Sequence, residues 1–188
     1  MAEEQGQLRK PERDPEAEAR RLLALSQIRQ YGDPVLRMTA RDVESFDDDL
    51  VRLAERMKRL MVDASGVGLA GNQVGVLQRL IVLQPTAEEE PYALVNPRIV
   101  EQSDATEIAD EGCLSLQGVL VPVERSVALT IEARDEHGDE VRLELEELGA
   151  RVVQHELDHL DGVLILDRTT DESRREALGT LRPRLALS

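Results

Sequence analysis

Tryptophan is absent from this chain, phenylalanine occurs once and tyrosine twice, so aromatic stacking cannot build its interior. Leu, Val, Ile and Ala must fill the core, and 41% hydrophobic residues over 188 positions suffice for a single domain. A lone cysteine excludes an internal disulfide. Basic residues are scarce: 23 Lys and Arg stand against 38 Asp and Glu, a formal charge of -15, and no cationic cluster breaks the acidic background. That balance argues against a nucleic-acid partner, whose phosphates call for a basic patch. The chain also lacks an apolar run long enough for a signal-peptide core or a membrane span, which points to a cytoplasmic protein with no membrane contact.

Residues 1–13 are polar, mixed in charge and interrupted by Pro11, and they read as a disordered tail ahead of a single domain over residues 14–188. Asp14 as N-cap and Pro15 at the first helical position predict a short helix, ending before the turn cluster Tyr31-Gly32-Asp33-Pro34. Leu50, Leu53, Ala54, Met57, Leu60, Met61 and Ala64 recur at helical spacing, so residues 47–64 predict an amphipathic helix with both methionines in the core, closed by Gly66-Val67-Gly68. Leu80-Ile81-Val82-Leu83 reads as a buried strand and residues 86–91 as an acidic loop. A strand from Tyr92 then meets Asn96-Pro97, where proline should bar a central ladder position, and residues 101–111 read as a second acidic loop.

Val127, Leu129, Ile131 and Ala133 alternate, as do Val141, Leu143 and Leu145, which predicts a hairpin with His137 solvated at its tip. A second strong helix covers residues 147–160 and stops at Gly162, followed by a short strand over residues 163–166 and a C-terminal helix over residues 173–185. These elements describe an α+β domain. Short, mostly antiparallel strands pack around the 147–160 helix, with one further helix in the N-terminal half and another at the C-terminus.

That central helix carries His155-Glu156-Leu157-Asp158-His159, which sets two imidazoles one turn apart with a carboxylate beside them. Leu148, Val152, His155 and His159 fall on one stripe, expected to face inward, and buried imidazoles need a cation or hydrogen-bond partners. One reading is a pair of core histidines bonded to backbone carbonyls. The other is a divalent metal site, in which three protein ligands leave room for a water and Glu156 moves its proton. For the third ligand, a zinc endopeptidase of the metzincin kind expects a histidine at position 165, where Ile165 stands, and a downstream methionine that is missing. Glu172 and Glu176 lie in a charged stretch that reads as a solvated helix face. Cys113, in Glu111-Gly112-Cys113-Leu114-Ser115, is the better donor, and a thiolate with two imidazoles suits iron as well as zinc. The glycine-rich run at residues 66–73 lacks the Lys-Ser/Thr of a phosphate loop, but it lets a peptide backbone approach closely and offers the Gln73 amide to a developing oxyanion.

Taken together, GVGLAGNQ at 66–73, EGCLS at 111–115 and QHELDHLDG at 154–162 resemble the peptide deformylase family, and the likeness extends over about residues 28–168. The resemblance implies removal of the N-formyl group from the N-terminal formylmethionine of newly made polypeptides, with release of formate. It implies that Cys113, His155 and His159 hold one divalent metal ion, ferrous iron in the cell and replaceable by zinc, nickel or cobalt. Glu156 becomes the general acid and base, Gln73 and the Leu114 backbone N–H polarise the formyl oxygen, Val67 and Gly68 align the peptide, and Leu148 and Val152 help form the methionine pocket. The implied partner is a formylmethionyl peptide or nascent chain, with transient ribosome contact. Gly71, Gln117 and Leu120 depart from the family's usual residues, so a specialised enzyme or a non-catalytic metal and formyl-peptide binding protein is the competing expectation. Arg125 matches a recurrent family arginine and is expected to pair with Glu111 and brace the cysteine loop.

Overall fold

The computed structural model describes residues 14–181, so the polar tail and the last residues of the expected C-terminal helix lie outside the described residues. Helix α1 (Pro15–Leu25) begins as the sequence predicts, with the Asp14 side chain accepting from the Glu16 N–H at 3.0 Å. Helix α2 (Asp48–Asp63) is capped by Asp47, which accepts from the N–H groups of Asp49 and Leu50, and buries Leu50, Ala54, Met57, Leu60 and Met61 along one stripe. Its end differs from the glycine stop expected. Ser65 takes the left-handed conformation at φ 59° and the Gly66 N–H reaches back to the Met61 carbonyl at 2.9 Å, so a serine closes the helix.

Strands β1 (Gly68–Ala70), β2 (Leu80–Leu83), β3 (Tyr92–Gln102), β6 (Ala128–Arg134) and β7 (Glu140–Glu146) form one antiparallel sheet in the order β1-β2-β3-β6-β7. Strands β4 (Thr106–Glu111) and β5 (Val121–Ser126) form a second, two-stranded antiparallel sheet. Helix α3 (Glu147–Leu160) follows β7 directly, and α4 (Ile165–Arg168) and α5 (Asp171–Leu181) complete the chain.

The apolar run of β2 is explained by cover on both faces of the sheet. Leu80 and Val82 join α1 and α2 in one core, while Ile81 and Leu83 join Ala150, Val153, Leu157 and Leu160 of α3 in another. Each large aliphatic side chain buried against α3 contributes about 1.5–3 kcal/mol, and this seats the helix that carries the histidines. A third core joins the small sheet to α4, α5, Leu116 and Val119. The fold is thus a single compact α+β unit with α3 at its centre.

Two expectations are corrected and a third is given its structural form. Residues 101–111 are mostly strand, with a short turn at 103–105: 101–102 end β3, and β4 pairs residue by residue with β5 from Thr106↔Ser126 to Glu111↔Val121. Glu107, Ile108 and Asp110 are exposed and Glu111 at the end of β4 is buried, so no apolar alternation marks the strand and its charge disguises it. Residues 163–166 do not form a strand: Ile165–Arg168 is one helical turn, capped where the Asp167 carboxylate accepts from the Leu164 N–H at 2.8 Å. Pro97 falls within the span of the central strand β3 but, as expected, holds no ladder position. The pairing of β3 with β6 skips from Val95↔Arg134 to Arg98↔Glu132, so the proline occupies a bulge where no ladder donor is required. Asn96 precedes it at φ 53°, and its side-chain amide bonds both the N–H and the carbonyl of Val43 at 2.8 and 2.9 Å.

Gly71 opens a tight 3-10 turn, Gly71–Val74, beneath the connection to β2. A Cβ there would lie 2.7 Å from the Gln78 carbonyl and 2.8 Å from that of Val76. The glycine therefore allows a close backbone approach within the segment that carries Gln73. Gly71→Ala is expected to destabilise the protein by about 1–3 kcal/mol in chemical denaturation, and an unchanged midpoint would refute this packing argument.

Candidate active site

His155 and His159 lie one turn apart on α3, with ring centroids 5.0 Å apart and planes inclined by 66°. Cys113 comes from the turn between the two strands of the small sheet, and its Sγ stands 3.2 Å from His159 Nε2. One donor atom from each of Cys113, His155 and His159 lies within 4.8 Å of the others. An ion about 2.0–2.3 Å from each donor fits such spacing, and one sulfur with two imidazole nitrogens is a donor set suited to iron or zinc. Hydrogen bonding also aims the donors: Glu111 Oε2 holds His155 Nδ1 at 3.1 Å, leaving Nε2 as that ring's available donor.

The protonation states also suit a shared cation. Burial depresses His155, yet hydrogen bonds with Cys113 and Glu111 raise it well above the usual histidine range. Burial and the neighbouring His155 charge drive His159 well below that range. Two adjacent rings driven in opposite directions cannot comfortably hold two protons, whereas a metal ion takes two neutral imidazoles at once.

Glu156 lies beside the donors, 3% exposed, and its Oε2 has no hydrogen-bond partner among the described residues. Burial is the main reason its carboxyl is pushed up to about 7, with His155 opposing and Glu111 reinforcing the shift. Gly68 makes room for it, since a Cβ at that position would fall 2.4 Å from Glu156 Oε1. The group is an acid able to gain or lose a proton near neutrality at the floor of a cavity of about 590 Å³.

Val67, Gly68, Gln73, Cys113, Leu114, Leu148, Val152, His155 and Glu156 all line that cavity, while His159 is buried against Cys113. The structure thus brings together the residues expected to hold a metal, move a proton and contact the peptide. Leu148 departs from the expected inward stripe: it is 49% exposed and stands at the mouth, whereas Val152 is buried. Being the second residue of α3 lifts it above the packed part of the helix. Leu120 is also exposed at the mouth, and β1, an edge strand, presents its unpaired side nearby.

The Gln73 side chain has a fixed orientation. The Ala70 N–H donates to its Oε1 at 2.8 Å, which turns Nε2 toward Ser115 Oγ at 3.1 Å and Cys113 Sγ at 3.7 Å. The Leu114 N–H makes no hydrogen bond among the described residues, so two donors flank the cysteine. Sequence reasoning missed Ser115, and also Arg151, which binds Glu111 Oε1 at 2.8 Å. A signal for Arg151 was present, because Arg151, His155 and His159 recur every fourth residue along α3.

Arg125 meets Glu111 with two parallel bonds of 3.0 Å and bonds Asp158 at 2.6 Å, as the bracing expectation required and one carboxylate further. Arg168 binds the other side of Asp158. Burial alone would raise the Glu111 carboxyl, but hydrogen bonds from His155 and Arg125 outweigh it and hold the group at about 2.

A thiol and two imidazoles around one point, a buried acid at their side and an open cavity in front define a metallohydrolase centre. A sequence profile of the polypeptide deformylase family matches residues 25–175. The peptide deformylase of Thermotoga maritima is 46% identical over 147 residues, 78% of this chain and 88% of that protein. That of Clostridium botulinum is 46% identical over 148 residues, 79% of this chain and 99% of its own length. The crystal structure of a Synechococcus elongatus peptide deformylase in complex with actinonin superposes with a TM-score of 0.78 at 40% identity, covering 81% of this chain and 85% of that one. The chain belongs to the peptide deformylase family.

Removing Arg125 leaves two buried carboxylates short of their partner. Arg125→Met is expected to cost about 3–5 kcal/mol in denaturant unfolding, whereas Arg142→Met, which breaks exposed pairs, should leave the midpoint nearly unmoved. Equal effects of the two substitutions would contradict the network described.

Proposed function

We propose that this chain hydrolyses the formyl amide of N-terminal formylmethionine on nascent polypeptides, with Cys113, His155 and His159 holding one divalent ion. The observation that carries the reading is the convergence of these three donors beside the buried, unpaired Glu156 carboxyl at the floor of the cavity. Ferrous iron is the ion this reading assigns in the cell, with zinc, nickel and cobalt as replacements, and the iron–thiolate pair makes the enzyme oxygen-sensitive. When bound, the ion supplies Lewis acidity and lowers the pKa of a water.

Gly68 at the start of the edge strand β1 and Val67 just before it align the peptide backbone, and Leu148 and Val152 receive the methionine side chain. The Gln73 Nε2 amide and the Leu114 N–H donate to the formyl oxygen as charge builds on it, an effect for which single donors are typically worth about 10²–10³ in rate. Glu156 accepts a proton from the attacking water. As the oxygen–carbon bond forms and the carbon–nitrogen bond breaks, Glu156 returns that proton to the departing amine, giving formate and a free N-terminus. In this reading residues 14–188 act as one unit behind a polar tail, in the cytoplasm, with transient contact to the ribosome. Among the described residues, no helix is long and apolar enough to cross a membrane.

Anaerobically purified, iron-loaded protein is expected to release formate from a formyl-Met peptide. Tight peptide binding without formate would instead establish a non-catalytic binding protein. Glu156→Ala should retain metal and lose about 10²–10⁴ in turnover, and retained activity would remove Glu156 from its role. Cys113→Ala should fail to hold stoichiometric metal after dialysis; unchanged metal content would revive an endopeptidase-like ligand set.

A further inference from the structure

Helix α1 lies almost wholly ahead of the stretch matched by the family profile, which begins at residue 25, yet it contributes to the cavity wall. Its orientation is unusual for an amphipathic helix. Leu22 and Leu23 are 57% and 66% exposed, while Arg21 is turned partly inward and lines the cavity together with Leu25 one turn later. Leu25 is only 4% exposed and anchors α1 in the core it shares with α2, which fixes this face of the helix toward the cavity.

The cavity has a second cation, Arg151, but that guanidinium is engaged by three acceptors of the chain. Its Nη1 bonds Glu111 and the Val123 carbonyl, and its Nη2 bonds the Glu107 carbonyl. Arg21, by contrast, makes no hydrogen bond among the described residues, and its ion-pair neighbour there is Glu18 at 3.8 Å. Glu111 is committed to the internal network and Glu156 lies at the floor, so the remaining charge at the rim is the exposed Asp110 on β4.

We propose that Arg21 is a specificity-determining residue, which makes this enzyme favour formyl-Met peptides carrying an aspartate or glutamate soon after the methionine. The inference rests on the deformylase reading above. Arg21 donates to the carboxylate of the incoming peptide at the solvent-facing end of the cavity, away from the reacting carbonyl. A partly exposed pair of this kind discriminates by a few-fold and is weakened by salt.

The test measures kcat/KM for formyl-Met tripeptides and tetrapeptides in which glutamate, glutamine or lysine is scanned through the positions after methionine. The ratio of glutamate to glutamine peptide is taken within each variant, so differences in active enzyme cancel. Wild type is expected to prefer glutamate about three- to fivefold at one position at low salt. Arg21→Gln should bring that ratio to unity, and Arg21→Glu should push it below one while favouring the lysine peptide over the glutamine peptide. A ratio that is the same in all three proteins, or that persists at high salt, overturns the proposal while the deformylase reading stands. Absence of formate from every peptide overturns both.

Discussion

The site depends on a single buried carboxylate, Glu111, being satisfied from three sides. Desolvating a carboxylate costs several kcal/mol unless hydrogen bonds and opposite charge compensate. Here Arg125 supplies a bidentate pair, Arg151 a third bond and His155 a fourth. Because Glu111 ends β4 while His155 and Arg151 belong to α3, the same bonds that satisfy the charge fix the small sheet against the central helix. Cys113 follows two residues later, so its position relative to the histidines is set by that anchor.

The network then returns to the helix from the other direction. Arg125 bonds Asp158, and Arg168 of α4 closes around the same carboxylate, so α3 is held at residues on either side of Glu156 and next to both histidines. The loop residues of the site are clipped by backbone bonds from the segment after α1. The Arg29 N–H bonds the Gln73 carbonyl at 2.7 Å and the Tyr31 N–H bonds that of Ser115 at 2.8 Å. Gln30 donates to the Leu114 carbonyl and accepts from Gln117, which gives one of the chain's departures from the family pattern a local structural role. Imidazoles on a packed helix and loop donors clipped at their backbones form a preorganised arrangement, the condition under which directed hydrogen bonds act on a developing charge without reorganisation.

Much of this was legible in the sequence wherever one local rule decided the outcome. Helical periodicity placed α2 and α3 to within a residue, and side-chain alternation placed the β6–β7 hairpin. The His-Glu-x-x-His spacing and the lone cysteine single out the candidate donors by residue type and spacing alone. What was not legible depended on partners distant in sequence. The acidic strand β4 could be seen only through its pairing with β5, and Pro97 is tolerated in a central strand only because the register of β6 slips beside it. Likewise, Glu111 was read as half of a brace for the cysteine loop, and its bond to His155 appeared only when the strand and helix met. The exposed position of Leu148 goes with its place in the first turn of α3, which periodicity along the helix alone does not report.

The most direct measurement on the central claim is X-ray absorption at the metal edge of the zinc-loaded protein in solution. The account predicts one sulfur scatterer at about 2.3 Å and two imidazole nitrogens at about 2.0–2.1 Å, completed by a light-atom ligand from solvent. A first shell of nitrogen and oxygen alone would mean that the Cys113 thiolate does not join His155 and His159, and would contradict the account at its base.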